Sequence, residues 1–343
     1  MPTQHGSLPS RQASQTTGRK SRALHTTRSA RYPFVLGGDL AGEIVEVGKG
    51  VTRFRIGDRV LGHALGMDGE RNRSSEGAFQ QYTVIRDNMA ASIPESLSYE
   101  NACVLPLTLS TAATGLFQKD CLALKYPSVP PKPNGEALLV WARSSSVGSN
   151  AIQLATAAGY EVFTTASPKN FAYVERLGAS QVFDYRSPTI IRDIILALKD
   201  KTLAGVLAIG NSGAESCIAV LEKCKGRKFV AMASFPWPET LPEGSGQTLA
   251  IISLMFSVVR WQILMWLKSK IKGIPTKFFI GETLQNNEVS HVVYENFLPQ
   301  ALTEGTYVTA PEPFVVGHGL EYIQEAFDVQ KKGVSAKKVV VTL

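Results

Sequence analysis

The first 31 residues contain no acidic residue and almost no large apolar one. They hold Arg11, Arg19, Lys20, Arg22, Arg28 and Arg31 among Ser, Thr and Gln. A stretch so poor in apolar side chains is expected to be a disordered leader. Its Arg/Ser bias also fits an organelle transit peptide, although Leu8 and Leu24 alone make a thin apolar face. The formal charge of +7 belongs to this leader: beyond it, 30 basic residues meet 29 acidic ones, a balance of +1. With no basic field over the globular part, nucleic acid is excluded as the expected partner. The missing apolar h-region excludes a secretory signal.

Cysteine and metal-ligand patterns are equally sparse. Cys103, Cys121, Cys217 and Cys224 form no C-x-x-C pair, and His5, His25, His63, His291 and His318 fall in no ligand spacing. This excludes a disulfide framework and a zinc finger and leaves four buried, reduced thiols as the expectation. There is no Ser/His/Asp pattern and no paired-carboxylate motif, so no side chain is assigned as catalytic. No metal is expected.

What is present centres on residues 138–170. Leu138–Trp141 is a short apolar run, as in a buried parallel strand. A turn of small residues follows, and then apolar residues recur at Ile152, Leu154, Ala155 and Ala158 with helical spacing. Glu161–Ala166 reads as the next strand, completing one βαβ unit. Such a turn aims backbone N–H groups and the positive end of a helix at one spot, where a phosphate can sit. Ser144, Ser145, Ser146, Val147 and Gly148 are the candidate phosphate-binding residues. The dinucleotide fingerprint favours Gly at the first and third turn positions; here these hold Arg143 and Ser145, and Gly148 alone is kept. Arg143 either adds charge toward a phosphate or blocks its approach.

The second strand lacks the acid that holds the ribose hydroxyls of NAD. It runs instead into Ser167, Pro168, Lys169 and Asn170. Ser167 and Lys169 are read as meeting the extra phosphate of NADP, with Asn170 beside them as a further cofactor contact, against the alternative of a helix start with a solvated lysine. Strand and helix patterns then alternate to about residue 233, which argues for a parallel, doubly wound α/β sheet. Tyr185 follows the third strand and by itself reads as exposed at the strand end.

Ahead of this lies a β-rich unit. Alternation at Ile44, Val45 and Val47 predicts a strand, Arg59–Gly62 another and Gly77–Val84 a third, followed by a helix with Ser98 as N-cap and a second helix over 105–117. One long apolar run, residues 248–267, carries Arg260 and Gln262 at its middle. It is read as a packed or interface helix, with membrane association as the alternative and no stable span expected.

Taken in series, G-G-D-x-A-G-x-I-V-E-V-G from Gly37, F-R-I-G-D-R-V-L-G from Phe54, E-G-A-F-Q-Q-Y from Glu76, L-P-L-T-L-S-T-A from Leu105 and S-S-S-V-G-S-N-A-I-Q-L-A from Ser144 resemble the medium-chain dehydrogenase/reductase superfamily. The chain is most similar to its zinc-independent fungal members, related to quinone oxidoreductases and trans-acting enoyl reductases. Leu177–Ala179, Val182–Arg186 and the tail from Phe297 share this likeness, which covers residues 31–343. The resemblance implies a Rossmann domain (126–278) and a GroES-like catalytic domain (32–125 and 279–343). It implies NADPH-dependent reduction of an activated C=C or a quinone-type small molecule, in secondary metabolism, by a monomer or homodimer. It places substrate at Thr108, Leu109, Ser110, Thr111 and Ala112, sets Tyr185 near the adenosine, and adds Val334 and Ser335 to the cofactor contacts.

Zinc-dependent relatives carry a ligating His where this chain has Gly38. Asp39 beside it is therefore read as an acceptor for local backbone donors. The superfamily also has further strands before the Gly-Gly-Asp stretch, so an unpaired sheet edge is expected here. The alternative to an enzyme is a degenerate member acting as a scaffold. The expected compartment is the cytoplasm, or the mitochondrion if the leader is a transit peptide.

Overall fold

The structure, a computed structural model, describes residues 7–9, 13–15, 33–69, 71–142, 144–210, 213–234 and 247–343. The chain forms two compact units. The first takes the N-terminal part to Thr114, Tyr126–Pro130 and Gly281–Leu343; the second takes Gly115–Lys125 and Pro131–Ile280.

The first unit opens with β1 (Ser7–Pro9), β2 (Ala13–Gln15), β3 (Asp39–Glu43), β4 (Arg59–His63), β5 (Tyr82–Val84) and β6 (Ala90–Ser92), then α1 (Tyr99–Ala102) and α2 (Pro106–Phe117). The second carries β7 (Ala137–Trp141), α3 (Ser146–Ala157), β8 (Glu161–Ala166), α4 (Phe171–Arg176), β9 (Ala179–Asp184) and α5 (Ile190–Ala197). It continues with β10 (Thr202–Ala208), α6 (Gly213–Lys223), β11 (Lys225–Gly226), β12 (Val230–Met232), α7 (Gln247–Lys272) and β13 (Thr276–Phe278). The chain returns to the first unit with α8 (Leu298–Thr303), β14 (Glu312–His318), α9 (Ile323–Lys332) and β15 (Lys337–Thr342).

In the second unit the strands run β13-β12-β10-β7-β8-β9, every pair parallel, with β11 beside β10. This is the doubly wound Rossmann order, in which the strand sequence reverses between β7 and β10. All five residues of β7 are buried, as a central strand covered on both faces requires. Ile190, Ile194 and Leu198 of the α5 segment join Leu139, Val206 and Val230 in the core. The boundary between units falls inside α2, because its C-terminal turn packs with the second unit. A Cβ on Gly115 would lie 2.5 Å from Phe279 and 2.7 Å from Leu207.

In the first unit a six-stranded sheet runs β14-β15-β2-β3-β4-β6, and β1 pairs separately with β5. Leu40, Ile44, Phe54, Val60 and Ile85 make its core. The strand predicted over residues 44–47 instead ends at Glu43. Ile44 N–H still bonds to the Asp58 carbonyl in the β3–β4 register, but the Ile44 carbonyl accepts from Gly57 N–H while Asp58 N–H bonds to the Arg55 carbonyl, and the ladder ends at this irregularity. Ser98 caps α1 as expected, its side chain accepting from Asn101 N–H.

β1 and β2 both fall within the stretch read as a disordered leader; the rest of residues 1–32 lies outside the described residues. β2 pairs antiparallel with β15 on one side and β3 on the other, so the gap expected at this point in the sheet is filled. Ladder pairing uses backbone groups, which a polar sequence supplies as well as an apolar one.

Candidate functional site: a phosphate-binding turn and a buried relay

The turn after β7 delivers the chain from the centre of the parallel sheet into α3. Ser145 is the N-cap: its Oγ accepts from Gly148 N–H at 3.1 Å, and its carbonyl accepts from Ser149 N–H. The other N–H groups of the first turn, at Ser146 and Val147, have no acceptor within the helix. Ser144 takes the left-handed conformation, φ +54°, at a cost of roughly 1–2 kcal/mol for a side chain with a Cβ. Its hydroxyl is buried and has no hydrogen-bond partner. A strained residue with an orphaned hydroxyl at a helix N-terminus matches the needs of an anionic ligand, not those of stability.

Gly148 explains why one glycine of the fingerprint is kept. A Cβ there would lie 2.3 Å from the Cβ of Ala142, so the helix can approach β7 this closely only without a side chain. Arg143 lies outside the described residues.

Ser167 is buried directly after β8, and Lys169 is exposed in the short 3₁₀ turn Pro168–Asn170 that follows. Ala166 pairs with Asp184 across β8 and β9, and Tyr185 N–H bonds to the Ala166 carbonyl, so Ser167 and Tyr185 leave the two strands side by side. Two residues here escaped the sequence reading. Arg186, exposed, stacks its guanidinium 5.3 Å from the Tyr185 ring and adds a second cation beside these strand ends. Thr165, fully buried, has an Oγ1 without a partner. The signal expected at this strand end is an acid, and neither an arginine two residues past β9 nor a buried threonine inside β8 carries a pattern that marks it.

Val334 and Ser335 belong to the other unit, on the approach to β15. Val334 packs with Ala326, Val339 and Val341. The expected substrate residues lie in α2. Leu109, Ser110 and Ala112 are fully buried; Thr108 bonds back to the Leu105 carbonyl just before α2 and Thr111 to the Leu107 carbonyl within it; Thr111 alone of the five is partly exposed.

Ser110 joins a relay. Tyr294 O–H donates to the Pro106 carbonyl at 2.9 Å, so Ser110, 2.7 Å away, donates to Tyr294. His63 Nδ1, 2.9 Å from Ser110 Oγ, then has to carry its proton and donate in turn. Every hydroxyl is satisfied in one direction. Burial, reinforced by Lys338, pushes the His63 imidazolium down to about 3, and burial pushes the Tyr294 phenol up. This gives a pH prediction. Above about pH 6.5 His63 is neutral whether folded or not and costs nothing. As pH falls from there toward 3, the unfolded chain takes up the proton that the folded chain refuses, and stability falls by up to about 1.4 kcal/mol per pH unit. Denaturant melts of the first unit across this range should show a shallower pH slope in His63→Asn; equal slopes would refute the assignment.

Asp39 is 1% exposed; its Oδ1 accepts from Leu107 N–H at 2.7 Å in the first turn of α2, and its Oδ2 meets Lys338 Nζ at 3.2 Å. It is a backbone acceptor, as read from the sequence. Burial pushes its carboxyl up, and Lys338 and the Leu107 N–H pull it back down. With both oxygens engaged and Gly38 beside it, this position offers a zinc ion no ready donor. Among the described residues no three of His, Cys, Asp or Glu gather to hold a metal. All four cysteines are buried free thiols, and burial pushes Cys121 up to about 12. Glu282 is pushed up to about 7 by burial and then by Asp68.

A nicotinamide dinucleotide fits the turn after β7 on its own evidence: the first-turn N–H groups of Ser146 and Val147 that the Ser145 cap does not take up, an orphaned Ser144 hydroxyl and a helix that needs Gly148 to pack. Known proteins similar to this chain agree. The alcohol dehydrogenase GroES-like domain family matches residues 13–95. The dehydrogenase pigH of Monascus ruber is 54% identical, over 91% of this chain and 84% of its own length. The trans-enoyl reductase himH of Aspergillus japonicus is 36% identical, over 91% of this chain and 82% of its own. An alcohol dehydrogenase superfamily protein of Novosphingobium aromaticivorans has the same fold: TM-score 0.72 at 22% identity, covering 100% of this chain and 93% of that one. The chain thus belongs to the medium-chain dehydrogenase/reductase superfamily. It is an oxidoreductase of the kind that works with a nicotinamide cofactor.

Proposed function

We propose that this protein reduces an activated C=C or quinone-type small molecule with NADPH, without zinc. The carrying observation is the end of β8, where the acid expected of an NAD site is replaced by Ser167, Lys169 and the neighbouring Arg186. Two cations and a buried serine recognise a phosphate, and one extra phosphate is what separates NADPH from NADH. The Ser144–Gly148 turn holds the pyrophosphate, with the Ser144 hydroxyl and the first-turn N–H groups as donors. Tyr185 flanks the adenosine end. When bound, the cofactor supplies a hydride from its nicotinamide C4. The chain's own work is to bind, to orient and to exclude water; the balancing proton comes from solvent.

Substrate class rests on the likeness to a relative named a trans-enoyl reductase. Of the five α2 residues, Thr111 alone is partly exposed, and it is the one assigned here to the substrate. The domain limits at 125/126 and 278/279, the cytoplasmic compartment and a place in secondary metabolism remain part of the proposal. The test is charge reversal. Lys169→Glu with Arg186→Glu should weaken NADPH binding by about a hundredfold, at roughly 1.4 kcal/mol for each lost charge-assisted contact, and leave NADH within about twofold. Equal losses for both cofactors would refute the phosphate reading.

A further inference from the structure

Helix α7 is apolar on the side that faces water. Its inward stripe is Leu254, Val258, Trp261 and Met265, three and four residues apart. Met265 is buried in the core of the second unit, Trp261 packs against it, and the Trp261 indole N–H donates to Glu215 Oε1 at 2.7 Å. The opposite face carries Leu249, Ile252, Phe256, Val259, Ile263 and Trp266, all exposed, with Leu249 at 75% and Phe256 at 70%. The helix read from the sequence as packed is thus packed along one stripe only. A surface helix normally turns polar residues outward, and a contiguous exposed apolar face marks a contact surface.

Charge identifies what covers it. The segment 247–272 contains Arg260, Lys268, Lys270 and Lys272 and no Asp or Glu. Arg260, Lys268 and Lys270 are exposed, and Lys272 pairs with Glu222. A second copy of this helix would bring the same cations and no carboxylate to meet them. An anionic bilayer accepts both features, apolar side chains among the acyl chains and ammonium groups among the headgroups. No helix among the described residues is long and apolar enough to cross a membrane, so the helix would lie along the surface. Trp266 has the amphipathic ring that favours this depth.

We propose that the outward face of α7 docks the protein on an anionic lipid surface, the helix lying in the interfacial plane with Phe256 and Ile263 inserted. Docking here is independent of cofactor choice. The test uses the full chain in flotation with vesicles of phosphatidylcholine, with and without phosphatidylserine. The protein should float with the phosphatidylserine vesicles, with a blue shift of tryptophan emission, and float less as salt rises. Phe256→Ser with Ile263→Ser should cut partitioning at least about tenfold. Arg260→Gln with Lys270→Gln should cut it by about fivefold per charge. All four positions are exposed, so the variants should melt like the parent and keep its oxidoreductase activity. No flotation with phosphatidylserine vesicles would overturn the proposal. So would concentration-dependent dimerisation, without vesicle binding, that the Phe256/Ile263 variant abolishes, because it would make a second copy the occupant.

Discussion

Gly148→Ala should lower NADPH affinity by more than about tenfold. The added carbon would sit 2.3 Å from the Cβ of Ala142 and 3.3 Å from the Ser145 hydroxyl that caps the helix. Helix and strand must separate, and overpacking of this kind costs about 1–3 kcal/mol. The displacement falls on the residues that aim N–H groups at the phosphate, so binding should suffer more than stability. The cause can be isolated. Ala142→Gly removes the carbon that the new methyl group would strike and leaves two neighbours, the Ser145 Oγ at 3.3 Å, which must give by a few tenths of an ångström, and the Cα of residue 142 at 3.5 Å. The double variant should recover most of the affinity in a fluorescence titration. Equal loss in single and double variants would mean that the close approach to Ala142 is not what Gly148 provides.

Asp39→Ala should destabilise the first unit by about 3–5 kcal/mol, the range for breaking a buried ion pair from one side. The Lys338 side chain is only 10% exposed and would keep its charge beside an empty site, with the Val104 carbonyl at 3.1 Å as a remaining acceptor. Leu107 N–H would also lose its acceptor in the first turn of α2. Asp39→Leu with Lys338→Met removes both charges and should regain a large part of the loss. Urea denaturation followed in the first unit checks both. A loss under about 1 kcal/mol for Asp39→Ala would show that Lys338 relaxes to solvent and that the pair does not fasten β3 to β15.

Parts of this were legible in the sequence because the physics is local. The alternation of apolar runs with helical spacing from Leu138 onward leaves few topologies open, and the observed strand order is one of them. Gly148 announced itself because a single missing side chain has one purpose at that spot. Asp39 beside Gly38 was readable as an acceptor because the donor set for a metal was absent. The left-handed Ser144 was not readable, since serine has no preference that marks it. Ser110 was placed by resemblance as a substrate contact, and its partners His63 and Tyr294 lie 47 and 184 residues away. No local pattern encodes such a separation. β2 was hidden because pairing between β15 and β3 calls only on backbone groups. The apolar run of α7 gave its helix but not its surroundings: periodicity shows which residues share a face and cannot show whether that face meets protein, water or lipid.

The most direct test of the functional account is a titration of the purified chain with NADPH and NADH, followed by consumption of each in the presence of an α,β-unsaturated ketone or a quinone. NADPH should bind at least about tenfold more tightly than NADH, as one extra phosphate held by Ser167, Lys169 and Arg186 requires, and should be consumed only when an acceptor is present. Binding of neither cofactor would contradict the account and leave the chain as a non-catalytic member of its superfamily.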